Sequence, residues 1–268
     1  MDASWLYLYM PIAGVNIFWP GLVLIGYSVG VIGGFFGMGG AWMVTPGLNI
    51  LGFPMAFAIG TDIAHIAGKS MISTIRHSKF GNVDYKLGVV MLIGTMAGIE
   101  CGAQIVMWLE RLGQVGKVVR WVYVVFLLLI ALMVFSDYFK ARQNIAVGTD
   151  LFEVMISGLY GAFTYTLKGR IELVAVFVML TGAAVGAQIG TVATKYAKGY
   201  GIRLAFGSAV LCCMISIILK QFKFETPAAV LILSTIGIIC LYIMGIMFKG
   251  AAQELRDKKA QQQLRVGA

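Results

Sequence analysis

Charge is scarce in this chain. Of 268 residues only 12% are Asp, Glu, Lys or Arg, while 59% are hydrophobic. A soluble domain carries roughly 25% charged residues, so a water-soluble globule and a disordered chain are both excluded. Histidine occurs twice, as His65 and His77, and no HExxH, CxxC or Walker pattern is present. The glycine run Gly33–Gly40 is not followed by Gly-Lys-Ser/Thr, which removes the nucleotide-binding reading. No metal site, no cofactor site and no enzyme active site is expected. The four cysteines, Cys101, Cys212, Cys213 and Cys240, all fall inside apolar runs, which argues against a disulfide framework and for buried packing. The net charge of +9 comes from Lys and Arg spread over short loops rather than gathered on one face, so no nucleic-acid partner is expected.

What is present is apolar length. A membrane helix needs about 20 mostly apolar residues to cross roughly 30 Å of hydrocarbon. By that measure the candidate spans are 17–36, 56–77, 87–109, 121–137, 148–167, 171–193, 204–220 and 226–248, and membrane lipid is the surrounding solvent. The expected fold is an all-α integral membrane protein with eight transmembrane helices. Trp5, Tyr7, Tyr9 and Trp19 read as interfacial anchors. The N-terminus lacks a basic region and a small-residue cleavage site, so no removable signal is expected. The polar tail 249–268 carries five basic residues and, with the loops on its side, places the C-terminus in the cytoplasm.

The chain repeats itself at an offset of 88. Gly60-Thr61-Asp62 recurs as Gly148-Thr149-Asp150 (148 − 60 = 88), and the ladder Leu92, Gly94, Gly98, Gly102 recurs as Leu180, Gly182, Gly186, Gly190. Asn82-x-Asp84 meets Arg170-x-Glu172 at the same offset, and Arg120 meets Arg203 with a five-residue shift. Small residues at every fourth position let helix backbones approach closely, so both ladders are expected to pack helices. Two homologous halves in one membrane domain are the plan of secondary transporters, with the substrate at the repeat interface. The halves are drawn as 1–140 and 141–225, with 226–268 as a C-terminal helix and tail.

Between 33 and 54 the first half holds Gly33, Gly34, Gly37, Gly39, Gly40, Pro46, Gly47, Gly52 and Pro54. That density breaks a continuous helix. Irregular backbone at membrane depth survives only where protein or a wet cavity covers it, so a broken or re-entrant element is expected. Its free N–H groups, at Gly37, Gly39 and Gly40, would suit an anion. The second half has no such hairpin: the stretch before Gly148 reads WVYVVF at 121–126, and either residues are skipped around 140–145 or the half has diverged.

With these elements in view, the chain resembles the TauE/SafE family of sulfite exporters. The resemblance rests on Gly33-x3-Gly37-x-Gly39-Gly40 followed by Pro46, on Ala58-x-Gly60-Thr61-Asp62, and on the two ladders, over about Gly21 to Leu219. It implies transport of small sulfur-containing anions, such as sulfite, sulfoacetate or related organosulfonates, across a bacterial inner membrane.

Ionisable residues within spans are functional candidates because each costs several kcal/mol there. Asp62, His65 and Lys69 are spaced three and four apart and share one helical face. Lys69 would hold the anion; Asp62 and His65 would couple or gate. In the second half the aligned residues are Asp150, Glu153 and Ser157, so the cation is replaced by a hydroxyl. Asp62 and Asp150 also have a structural reading, as caps of broken helices together with Thr61 and Thr149. Glu100 in the first ladder is a further proton or substrate contact, with Gln104 as its hydrogen-bond partner. The expected substrate contacts are thus Gly37, Gly39, Gly40, Thr61, Lys69, Thr149 and Ser157, and the coupling groups Asp62, His65, Glu100, Asp150 and Glu153. Alternating access by a secondary carrier is the reading; a passive anion channel and a sulfur-transfer protein using the intramembrane cysteines are the alternatives. A homodimer is compatible with this plan.

Overall fold

The computed structural model describes residues 3–36, 41–79, 81, 83–140, 147–196 and 201–266, with side chains at 135–149 and several helix ends left aside. Among them the chain is helical apart from its beginning. There β1 (Tyr7–Met10) and β2 (Val15–Phe18) form an antiparallel hairpin with Tyr7 opposite Phe18 and Met10 opposite Val15. The chain is nearly all-helical, as expected, and this hairpin is its exception among the described residues. Alternating aromatic and aliphatic residues suit a pleated strand, and Gly14 closes the turn at a φ of 68°.

The helices are α1 (Trp19–Phe36), α2 (Ala41–Ile50), α3 (Met55–Lys79), α4 (Tyr85–Arg111), α5 (Val115–Lys140), α6 (Val147–Leu167), α7 (Leu173–Ala193), α8 (Gly201–Gln221) and α9 (Glu225–Val266). Six of them, α1, α4, α5, α7, α8 and α9, are long and apolar enough to cross a membrane. The two other expected spans are α3 and α6, with 25 and 21 residues, long enough but diluted by polar side chains. They pack on each other, and α3 also touches α1, α2, α4, α5 and α7. The polar helix α3 is thus packed among several others, while α6 leaves Leu159, Phe163 and Leu167 exposed. The polar tail continues α9 without a break to Val266.

Within the glycine-rich stretch, α2 is a helix of 10 residues with Pro46 inside it. At 1.5 Å per residue it is about 15 Å long, half of what a bilayer crossing needs. Met43, Val44 and Leu48 are fully buried against the surrounding helices. Because α1 and α3 both run parallel to α7, this short helix lies on the return from the end of α1 to the start of α3, which fits a broken element rather than a re-entrant one.

The two glycine ladders behave differently. On α7, a Cβ at Gly182, Gly186 or Gly190 would collide with the carbonyl oxygens of Val23, Tyr27 and Val31 on α1; Gly26, Gly30 and Gly34 meet α7 in the same way. Contacts advance along both helices together, so α1 and α7 run parallel at backbone contact. On α4, nothing lies within 4 Å of a Cβ at Gly94, Gly98 or Gly102. The expectation that both ladders pack helices is corrected: among the described residues only the second meets another helix of the same chain.

Helix starts carry the repeated acidic residue in two roles. Asp84 caps α4, accepting from Lys86 N and Leu87 N at 3.0 and 3.1 Å. Glu172, at the same place before α7, instead accepts from Ile12 N and Ala13 N at 2.7 and 2.9 Å, pinning the hairpin turn to the bundle.

Candidate functional site: a buried polar stripe on α3

Helical spacing in α3 turns Thr61, Asp62, His65, Lys69, Ser70, Ser73, Thr74 and His77 away from solvent, and all are buried. Asp62, His65, Lys69 and Ser73 succeed one another at three- and four-residue steps, which makes one continuous stripe. Its flanks, Met71 and Ile75, are exposed and apolar.

The stripe is poor in partners. Lys69 Nζ, Asp62 Oδ1, both ring nitrogens of His65, Ser70 Oγ and Thr74 Oγ1 are buried without a hydrogen bond. Lys69 lies within electrostatic reach of Asp62 and His65, yet the ion pairs found among the described residues do not include it. The sequence spacing anticipates this, since seven residues place Asp62 and Lys69 about 10.5 Å apart along the axis. A buried ammonium without a hydrogen bond is costly. It is kept in place of a Leu or Met of similar size.

Asp62 has one firm contact. Thr45 on α2 donates through Oγ1 to Asp62 Oδ2 at 2.6 Å, and Tyr123 on α5 reaches the same Thr45. This contact corrects the capping reading for Asp62. The aspartate sits in the interior of α3, seven residues beyond Met55 (62 − 55 = 7), and cannot cap its start. Asp150 does lie in the first turn of α6, where a carboxylate favours the helix dipole.

On α6, Glu153 and Ser157 are buried and Glu153 Oε1 is unpartnered. This helix approaches α3 closely, with Gly158 against Ala67 and Gly161 against Ile63. The two halves of the expected site are therefore brought onto facing helices. Thr61 is placed differently: its hydroxyl accepts from Glu172 N at 3.1 Å, and a Cβ on neighbouring Gly60 would overlap the carbonyl of Arg170. Together they dock the α6–α7 turn. Glu100 is half-buried on α4, held by Gln104 Nε2 at 3.0 Å, with Tyr160 OH at 3.5 Å and Lys168 Nζ at 3.7 Å, and is not joined to the α3 stripe. Gly37, Gly39, Gly40 and the side chain of Thr149 lie outside the described residues. Among the described residues no group of His, Cys, Asp and Glu has the geometry to hold a metal ion.

Sequence reasoning misses Thr45, Ser70, Thr74 and Tyr123. Ser70 and Thr74 follow Lys69 by one and five residues and are legible on a helical wheel. Thr45 and Tyr123 come from other helices and are not.

This arrangement of short buried helix, polar stripe and glycine-packed apolar helices has known relatives. The family described as sulfite exporter TauE/SafE matches residues 22–144 and 135–217. The chain belongs to the TauE/SafE family. It is similar to the probable membrane transporter protein YunE of Bacillus subtilis, 25% identical over 166 residues, covering 59% of each chain. It is also similar to the probable membrane transporter protein MJ0441 of Methanocaldococcus jannaschii, 34% identical over 84 residues, covering 28% of this chain and 32% of that protein. The matched parts thus span less than two thirds of these relatives' lengths. No solved structure matches the chain. The TauE/SafE family and these relatives are membrane transporters rather than enzymes, and the chain is a multi-pass membrane protein of that family.

Proposed function

We propose that this TauE/SafE-family chain is a secondary transporter of small sulfur-containing anions, sulfite, sulfoacetate or related organosulfonates, working by alternating access across a bacterial inner membrane. The observation that carries the reading is the set of buried, unpartnered polar atoms on α3, with Lys69 Nζ at its centre. Such groups cost stability unless a ligand or water meets them in another state. Lys69 supplies the positive charge, with Ser157 contributed by the facing helix α6; Asp62, His65, Asp150 and Glu153 are the groups that couple or gate. Loss of the Asp62 charge would leave Lys69 without that counter-charge and favour an incoming anion. The stripe is sealed, with Lys69 at 2% exposure and His65 at none, so an anion reaches it only after a change of conformation.

In this reading α3 and α6 also cross the membrane, giving eight long spans arranged as two repeats, with α2 on a broken return between the parallel helices α1 and α3. Support comes from the reciprocal packing of α3 on α7 and α4 on α6 around the α3–α6 contact. The C-terminus is cytoplasmic, following the basic tail. The open ladder on α4 supports a homodimer, in which Gly94, Gly98 and Gly102 meet their counterparts in a second copy, in parallel, as α1 meets α7.

The test is charge movement on a solid-supported membrane with protein reconstituted in liposomes. Sulfite, sulfate, sulfoacetate, taurine and a carboxylate are applied at two pH values. Saturable currents with sulfur oxyanions or sulfonates are expected; no response from folded protein overturns the substrate assignment.

A further inference from the structure

A second group of charges lies one step away from the α3 stripe. Arg120, near the start of α5, and Lys220, at the end of α8, converge on Asn49 at the C-terminal end of α2. Lys220 Nζ donates to the backbone carbonyl of Asn49. Arg120 donates through Nε to Gln221 Oε1 at 2.7 Å and through Nη1 to Asn49 Oδ1 at 3.5 Å. Both cations are half-buried, and neither forms an ion pair within 4 Å among those found for the described residues. Glu225 is the carboxylate within electrostatic reach of Lys220.

One cation at the end of α2 would satisfy its terminal carbonyls and dipole. Lys220 does that by itself. A guanidinium has five N–H donors in a planar fork, and Arg120 spends one on a firm hydrogen bond and one on a long contact. Arg120 lines a small, mostly apolar cleft together with Asn49, Tyr123 and Lys220, among others, and the far edge of its guanidinium lies over Gly116. An oxyanion can enter only by taking the place of the Asn49 amide.

That displacement has a consequence along α2. Thr45 lies four residues before Asn49, one turn away on the same face, and Thr45 is the residue that holds Asp62. Resting on the anion-transport reading above, we infer that Arg120 and Lys220 form an entry site for small oxyanions, where the anion competes with Asn49 for the two cations and so loosens α2 from the Asp62 end of the stripe. The cleft is thus the first of two stations, and α2 is the element that joins them.

The experiment measures sulfite and sulfate affinity of the full chain in lipid nanodiscs by calorimetry, with thermal unfolding as the check on folding. Arg120→Gln and Lys220→Gln should each weaken sulfite binding roughly tenfold or more, the scale of one lost charge-assisted contact, while Arg120→Lys and Lys220→Arg recover part of it. Asn49→Ala should tighten sulfite binding, because the side-chain competitor for Arg120 is gone while the main-chain carbonyl that Lys220 meets stays; a purely structural cap predicts lower stability and no gain in affinity. Wild-type affinity in both Gln variants overturns the inference and leaves the transport reading standing, provided that Lys69→Gln still abolishes current. Absence of any sulfite or sulfate binding by the wild type overturns both. If neither Gln variant folds, Asn49→Ala decides alone, and an affinity equal to or weaker than wild type overturns the entry site.

Discussion

Thr45 Oγ1 donates to Asp62 Oδ2 at 2.6 Å, and this single contact fastens the short helix α2 to the polar face of α3. Both residues are buried, at 2% exposure each, so neither has water as an alternative partner. Asp62 Oδ1 is left without a hydrogen bond. The carboxylate is half-satisfied, and the element that satisfies it is interrupted by Pro46 and only 10 residues long. A short helix with a proline inside it, holding a buried charge, is a suitable moving part.

Thr45→Val keeps the shape and removes the donor. It should cost about 1–3 kcal/mol, the penalty of leaving a buried acceptor unmet, read as a lower thermal midpoint, and should slow sulfite-driven current. A current and stability both equal to wild type would show that the contact supports neither.

Lys69→Met is expected to behave in the opposite sense for stability. Removing a buried ammonium without a partner relieves its desolvation, so the unfolding midpoint should hold or rise. Sulfite-dependent current should disappear. Retained current at wild-type affinity would remove Lys69 from the site.

The two ladders make a paired prediction. Gly186→Leu places a side chain against the Tyr27 carbonyl at the α1–α7 contact, where overpacking costs typically about 1–3 kcal/mol or more; monodisperse protein should fall sharply in size-exclusion profiles. Gly98→Leu meets no atom of the same chain and should leave the monomer folded. In a bilayer it should abolish the homodimer, as counted by single-molecule photobleaching of labelled protein. A dimer that survives Gly98→Leu does not use this face.

None of the four cysteines is in a disulfide, and Cys213 and Cys240 are buried in the main apolar core. Replacing them together by Ala or Ser should preserve transport, with a stability loss of about 1 kcal/mol for each buried site. Loss of transport from folded cysteine-free protein would revive the sulfur-transfer alternative.

Much of the fold is legible in the amino-acid sequence. Apolar runs of sufficient length mark α1, α4, α5, α7, α8 and α9, because a bilayer selects on length and composition alone. The spacing of Asp62, His65 and Lys69 places them on one face for the same reason that any helix would. The hairpin β1–β2 is not legible in this way, because its aromatic residues suit an interfacial anchor as well as a strand. Arg120 stands out in the sequence only as a repeat match, and Lys220 only as a loop charge.

Composition and periodicity thus determined that this chain is a membrane protein of packed helices with one polar stripe, and its glycine and GTD motifs determined its family. Those are local properties, set by which side chains recur along a single helix. Tertiary structure decided what each motif meets. Equal ladders on α4 and α7 end differently because α1 reaches only one of them. In the first Gly-Thr-Asp segment, the Thr61 hydroxyl is taken by Glu172 N and Asp62 by Thr45, partners that come from α7 and α2. Arg120 and Lys220, 71 and 171 residues from Asn49 in sequence, join it in one cluster only when α2, α5 and α8 close on each other. A contact between distant residues leaves no periodic trace in either segment, and so only the folded chain reveals it.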